Sequence, residues 1–367
     1  MSEHWLVAGA SGLVGNACLR RLSGRPGAKV TALSRRPPFA TFGAGHLSLD
    51  LTDPAAIEAA GAALSDVTHV IYAALHEEAE LVSGWTRKGH VDTNTAMLRN
   101  LLDGLARHAP GLAHVTLFQG PKAYGVHVGP LPILAREDVH ERRDIPNFYW
   151  DQEDLVRQAG KAAGWDFTIL RPVFVLGQAI GGAMNWLAAI GVYAALARAR
   201  GEPLSFPGDP QLLKQATDTD LLAAAAEWAA GSPAAAGQAF NVANGEVFRF
   251  GDVWPGIARA FGMEPGEPRR QSLAETLPGQ APAWDAIRQA QGLAAPGLDA
   301  FVGSSAQLAD FSMGYGTQAI RSPVILSEVK IRQAGFTEVL DSDTMFAKWI
   351  ARYQKAGLLP APDQTPR

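Results

Sequence analysis

Cysteine, basic blocks and uninterrupted apolar runs are all scarce in this chain, and each scarcity closes a class of function. The single cysteine, Cys18, excludes an internal disulfide framework and fits a reducing compartment. It falls in the first expected helix, where packing is its natural role. The net charge of −4 comes with no strongly basic block, so nothing advertises a nucleic-acid partner. Met1–Val7 has no basic stretch leading into an apolar one, so a secretory leader is not expected and the expected location is cytoplasmic. Pro172–Ala197 lacks charge and has the length of a membrane span, but Gly177, Gly181, Gly182 and Gly191, with Gln178 and Asn185, interrupt it. It reads as a loop followed by a buried helix, and no membrane partner is expected. The histidines show no metal-ligand spacing, so no metal is expected either.

What is present is the composition of a globular protein, 47% hydrophobic and 19% charged over 367 residues, enough for a sizeable core. Short apolar runs at Trp5–Ala8, Lys29–Leu33, His46–Leu49, Val67–Ala73, Ala113–Phe118 and Asp166–Leu170 read as strands. Helical patterns at Leu13–Leu22, Pro54–Leu64 and Thr93–Arg107 separate them, and another follows the capping residue Asn147 to about Gly164. Regular alternation predicts an α/β fold with a parallel, doubly wound sheet. After Pro172 the pattern loosens. Met184–Arg200, Thr217–Ala230 and Val253–Phe261 read as helices and Ala239–Val242 as a strand, with an irregular region from Gly266 to Ser322 and a frayed tail from Pro360. The two apolar helices, Met184–Ala199 and Thr217–Ala230, suit either a homodimer interface or internal packing.

The first strand runs into Gly9-Ala10-Ser11-Gly12-Leu13-Val14-Gly15, a GxxGxxG turn that opens a helix. Gly9 permits the tight turn, Gly12 lets backbone amides approach a pyrophosphate, and Gly15 permits close packing of helix on strand. A plain tight turn is the alternative. The second strand ends at Arg35-Arg36, where an NAD site usually carries a carboxylate for the ribose hydroxyl; an arginine pair accommodates a 2′-phosphate instead. This favours NADP(H), the alternative being two solvated surface charges. Asp50 is placed to meet the adenine amino group or to cap the helix from Pro54, a task that Asp53 fits better.

The YxxxK pair of short-chain dehydrogenases is missing: none of the six tyrosines has a lysine four residues on. Either the protein is not an enzyme, or a tyrosine and a lysine come from different segments. Lys122, in Phe118-Gln119-Gly120-Pro121-Lys122, follows the fifth strand at the carboxyl edge where open α/β sheets bind ligands. Tyr149 lies in Asn147-Phe148-Tyr149-Trp150-Asp151-Gln152-Glu153-Asp154, at the start of the next helix. Alone, Lys122 reads as a loop charge and Tyr149 as a core aromatic.

These two blocks resemble the TGxKHY and NFYYxxED motifs of the progesterone 5β-reductase and iridoid synthase-like family, part of the short-chain dehydrogenase/reductase superfamily. Gly12–Asn16, Asp66–Val70, Ala183–Asn185, Val192–Ala195 and Ala239–Gly245 resemble further family blocks, so the likeness spans roughly residues 5–360. It implies an extended Rossmann fold. Residues 1–175 would be the NADP-binding domain carrying the catalytic Lys122 and Tyr149, and 176–367 a mainly substrate-binding part with segments returning to the sheet. Implied cofactor contacts are Ser11, Gly12, Leu13, Arg35, Arg36, Asp50, Leu51, Ala74, Leu75 and Phe118, with Val175 against the nicotinamide. The implied reaction is NADPH-dependent reduction of an activated C=C bond in a small hydrophobic enone. Tyr149 would stabilise the enolate oxygen, and Lys122 would lower the tyrosine's effective pKa or orient it through the ribose.

Trp150 replaces the second tyrosine of NFYY, and Ala74-Leu75 replace larger residues after the fourth strand, departures that suggest a bacterial-type relative and touch the substrate. Phe118, Phe148, Trp150, Met184, Trp186, Tyr193 and Phe206 are candidate pocket linings, each equally readable as core. The segment from Tyr124 to Pro146 is a candidate lid. Two other functions compete: a carbonyl reductase or epimerase of the extended class, against which the absent YxxxK argues, and a non-catalytic NADP-binding sensor, which would have no need of Lys122 and Tyr149.

Overall fold

In the computed structural model, which describes residues 3–77, 85–182, 184–315 and 322–362, each expected strand forms. They are β1 (His4–Ala8), β2 (Lys29–Ser34), β3 (Gly45–Ser48), β4 (His69–Tyr72), β5 (His114–Phe118), β6 (Asp166–Pro172) and a last strand, Gln238–Val242. Together they make a seven-stranded parallel sheet in the order Gln238–Val242, β6, β5, β4, β1, β2, β3. β1 shows why both faces are covered. Its Trp5 and Val7 join a core with Leu19, Leu222 and Phe240, while Leu6 and Ala8 join another with Leu98, Leu101 and Leu117. The strand order reverses between β1 and β4, which creates the crevice at the carboxyl ends where such sheets take ligands.

The helices of this part are α1 (Leu13–Ser23), α2 (Pro54–Ala59), α3 (Gly61–Leu64), α4 (Lys88–His108), α5 (Phe148–Ala163) and Thr219–Gly231. The expected single helix Pro54–Leu64 is broken at Ala60. Gly61 follows because a Cβ there would lie 2.7 Å from the His108 ring. α4 starts five residues before its expected Thr93, because His90 is buried against Trp85 and Phe148 and pulls the first turn into the core.

The chain divides into two compact units. The first comprises Met1–Val173, Thr219–Ala243 and Leu326–Glu338; the second comprises Phe174–Asp218, Asn244–Ile325 and Val339–Arg367. The second unit is helical and built around Trp186–Ala199, whose residues 186–197 are all buried. Gly191 in that helix marks a close approach, since a Cβ there would meet Leu359 Cδ1 at 2.3 Å. Trp186, Tyr193 and Phe206 are core of this unit rather than an open lining. Nor is the expected irregular region from Gly266 to Ser322 without regular structure: its described residues hold helices Leu273–Thr276, Ala281–Gln291, Leu298–Phe301 and Ser305–Ser312. The longest of these carries sequence signals that composition obscured, Pro282 in its first turn and Gly292 as a left-handed cap. A further helix, Ser342–Lys355, is capped by Asp341, which accepts from the Thr344 N–H at 2.8 Å. Both apolar helices proposed for an interface are packed inside their own units. No helix among the described residues is long and apolar enough to cross a membrane.

Candidate active site

The glycine turn is shaped for a phosphate group. Gly9 has a φ of +81°, and a Cβ on it would lie 2.5 Å from the Ala73 carbonyl carbon and 2.6 Å from the Ala74 nitrogen. Only glycine suits both the dihedral and the space. Its N–H donates to Leu33 O at 2.9 Å, tying the turn to β2. Gly15 packs the helix onto the turn, since its Cβ would meet Gly9 O at 2.2 Å. Gly12 caps α1 without any side-chain hydrogen bond, so the first-turn amides beside Ser11 and Leu13 are presented to a ligand. Such a cradle fits a pyrophosphate.

Each of the other expected contacts has its own place in the fold. Arg35 and Arg36 are exposed, and among the described residues neither guanidinium has an ion-pair partner. Their backbone is held in place, with Arg36 O accepting from the Ser34 hydroxyl at 2.7 Å and Arg35 O from the Ser48 hydroxyl at 3.1 Å. Asp50 forms a tight turn in which Oδ1 accepts from the Thr52 N–H at 2.9 Å and its hydroxyl at 2.8 Å, which holds the carboxyl below its ordinary pKa. Asp53 does the capping, accepting from the Ala55 and Ala56 N–H groups at 2.9 and 3.2 Å. The Leu51 side chain is core, so only its backbone can face a cofactor. Ala74 abuts Gly9, and Leu75 beside it is exposed. Phe118 ends β5. Val175 belongs to the second unit, where it pairs with Thr217.

Lys122 and Tyr149 meet around an indole that sequence reasoning missed. The Lys122 ammonium lies 3.2 Å from the ring centroid of Trp85, and the Tyr149 ring stands edge-on to that ring at 5.7 Å. Phe148 and His90 complete the cluster, 5.0 and 5.1 Å from Trp85. Trp85 sits in no recognisable motif, so only its being aromatic in the connection after β4 could have signalled it. Burial pushes the Lys122 ammonium down to about 8. His127 was also missed. Both its ring nitrogens are buried without a hydrogen-bond partner among the described residues, and burial with the nearby Lys122 charge lowers it to about 4, so it is a neutral imidazole.

Tyr149 departs from the expectation set for it. Burial pushes its hydroxyl above the ordinary phenol value, and the opposing charge is Arg171, not Lys122. It is therefore a neutral phenol that can donate a hydrogen bond. Its oxygen lies 3.5 Å from where a Cβ on Gly120 would stand, so the missing side chain leaves space beside the hydroxyl.

The NFYxxxED block owes its residues to positioning. Asn147 Oδ1 accepts from the Tyr149 N–H at 3.1 Å and its Nδ2 donates to Lys122 O at 3.1 Å, so one side chain links both candidate groups. Gln119 Nε2 donates to Tyr149 O at 3.1 Å and to Glu153 at 3.3 Å. Arg171, fully buried, donates to Gln119 at 2.7 Å, to Glu141 at 2.7 Å and to Glu153 at 3.4 Å. Trp150 is buried and its indole N–H donates to Arg142 O at 3.1 Å, a structural use for the position where the motif has tyrosine.

Comparison with known proteins bears on this arrangement. The NAD dependent epimerase/dehydratase family matches over residues 5–243. A 3-oxo-Δ(4,5)-steroid 5β-reductase of Arabidopsis thaliana is 30% identical, with 97% of this chain and 92% of that protein covered. An (S)-8-oxocitronellyl enol synthase of Nepeta cataria is also 30% identical, with 97% and 91% covered. The chain belongs to the progesterone 5β-reductase and iridoid synthase-like family of extended short-chain dehydrogenases/reductases. As a member, it is an oxidoreductase of the NAD(P)-binding class. The fold is shared more widely. UDP-glucose 4-epimerases of Thermus thermophilus and Thermotoga maritima superpose with TM-scores of 0.66 and 0.68 at 19% and 16% identity, covering 96% of this chain and 99% of each. The missing YxxxK sets this family member apart from an epimerase reading.

Proposed function

We propose that the protein reduces the C=C bond of an α,β-unsaturated carbonyl compound with NADPH. The carrying observation is the convergence of Lys122 and Tyr149 on Trp85, with open space at the Tyr149 hydroxyl left by Gly120. Residues 1–175 would bind the cofactor: Gly9, Ser11, Gly12, Leu13 and Gly15 at the pyrophosphate, Asp50, Leu51, Ala74, Leu75 and Phe118 along it. Val175 would meet the nicotinamide, and residues 176–367 would mainly bind substrate. Arg35 and Arg36, without an ion-pair partner among the described residues and fixed through their backbone, suit a 2′-phosphate and so NADPH over NADH. NADPH, when bound, supplies a hydride to the β-carbon of the enone.

The protein's own task is to stabilise charge that moves onto the carbonyl oxygen. The Tyr149 hydroxyl donates to that oxygen. Its raised pKa keeps the proton on the phenol before reaction, and its peptide group is fixed at both ends, by Asn147 and by Gln119. Such preorganised donation costs no rearrangement when charge develops. Lys122, held on the Trp85 face, would add positive charge near the same site and orient a ribose. Trp85 and Phe148 supply an apolar surface suited to a small hydrophobic enone. A carbonyl reductase would use the same donor to make an alcohol, so the product decides. Deuterated NADPH should give a saturated ketone labelled at the β-carbon. Deuterium on a carbinol carbon would refute the reading, and tight NADPH binding with no transfer to any enone would favour a sensor.

A further inference from the structure

Enone reduction by Lys122 and Tyr149 leaves His127 without a task. It follows Lys122 closely in sequence, and the chain turns back between them. Gly125 makes the turn: its φ is +85°, and a Cβ on it would lie 3.3 Å from both Arg142 Cγ and Ile145 Cδ1. The Val128 and Gly129 N–H groups both donate to Gly125 O, at 2.9 and 3.2 Å. The Arg142 N–H donates to Ala123 O at 2.9 Å, which ties the turn down. His127 is thus held near enough to the Lys122 ammonium to feel its charge. Lys122, Tyr149, Trp85 and His127 all belong to the first unit.

His127 is half-buried, yet both its ring nitrogens are shielded from solvent, and neither has a hydrogen-bond partner among the described residues. The Trp85 indole N–H, on the ring that carries the same ammonium, is likewise buried without a partner among them. Buried polar groups in folded proteins are nearly always bonded. Histidines packed for structure in this unit follow that rule: His4 bonds Asp66 and Thr31 at 2.8 Å each, and His114 bonds Thr168 at 3.1 Å. At His127 the free protein already bears the desolvation cost, so a ligand that bonds the ring gains the whole hydrogen bond.

The chemistry of the ring narrows the ligand. Beside the Lys122 charge the imidazole stays neutral, with one N–H donor and one bare nitrogen. A carbonyl or carboxylate only accepts, so it serves one tautomer. A hydroxyl donates or accepts, so it serves either. A neutral ring also brings no charge of its own to hold a carboxylate.

We propose that His127 is a specificity-determining residue that hydrogen-bonds a hydroxyl group of the substrate, and that the physiological enone is a hydroxylated one. The inference rests on the enone-reductase reading. The carbonyl oxygen goes to Tyr149 and the hydroxyl to His127, so His127 acts on binding and on choice among enones.

The test compares wild type, His127→Leu and His127→Gln on cyclohexenone and its derivatives hydroxylated at each saturated ring carbon. Wild type should prefer at least one hydroxy enone in kcat/KM, and His127→Leu should lower that preference about 5- to 100-fold, mainly through KM. His127→Gln, which keeps a donor and an acceptor, should retain part of it. A wild type that prefers no hydroxy enone, or a preference unchanged in His127→Leu, overturns the inference while leaving the reductase reading intact. A fall in NADPH affinity as large as the lost preference also overturns it, because the ring would then serve the cofactor. Calorimetric titration of the NADP+-loaded protein with the saturated hydroxycyclohexanones needs no turnover. Affinity at least about tenfold weaker in His127→Leu supports the inference. Equal affinity, or no binding to wild type, overturns it. If no enone reacts while this binding still depends on His127, the reductase reading alone fails. Thermal unfolding identifies a variant that does not fold, and His127→Phe then replaces His127→Leu.

Discussion

At Gly120 the absent side chain is as informative as any present one. A Cβ would sit 3.5 Å from the Tyr149 hydroxyl, an ordinary contact that the fold tolerates. Gly120→Ala should therefore keep its unfolding midpoint yet lose turnover, because the methyl group occupies the space where a substrate oxygen must reach the phenol. Lys122 makes a pH prediction. With its ammonium lowered from 10.5 to about 8, activity that depends on its charge falls as pH rises through about 8, and Lys122→Met should lose that limb along with most turnover. The same shift makes stability rise with pH between these two values, because the unfolded chain holds the proton longer. For Arg35 and Arg36, replacing both by alanine should raise KM for NADPH about tenfold or more and leave KM for NADH nearly unchanged. Equal effects on the two cofactors would remove the 2′-phosphate role.

At the scale of elements, the start of α5 and the turn around Lys122 behave as one piece because Asn147 bonds to both. Asn147→Ala should cost about 1 kcal/mol as a lost helix cap. Asn147→Asp separates the two functions. It keeps the cap acceptor but loses the Nδ2 donor to Lys122 O, so it should retain the unfolding midpoint and still lower kcat. Much of this was legible. The glycine turn, the strand alternation and the cap at Asn147 are local signals, written in residues close in sequence. Trp85, His127 and the Arg171–Glu153–Gln119 network were not, because each draws its role from partners far along the chain, such as Gln119 and Arg171. The helices between Gly266 and Ser322 were hidden by their shortness, and Ala281–Gln291 shows that a proline start and a glycine stop can outweigh a loop-like composition.

At the scale of the molecule, the segment from Tyr124 to Pro146 is bound down rather than free to act as a lid. Ala135 is fully buried and bridges to Leu326, with its carbonyl accepting from Ser327 and Asn241 at 2.9 and 3.1 Å. Glu137 accepts from the Asn241 N–H at 2.7 Å, and the Arg142 N–H donates to Ala123 O at 2.9 Å. Proteolysis should cut at exposed Ile133–Leu134, at the same rate with and without NADPH. The most direct test of the central claim is turnover of a panel of small and steroidal enones with NADPH by wild type and Tyr149→Phe. The account predicts that wild type reduces at least one enone, and that the variant binds NADPH equally well but loses about 10²–10³ in kcat, the usual effect of removing one oxyanion donor. An undiminished Tyr149→Phe enzyme would contradict it.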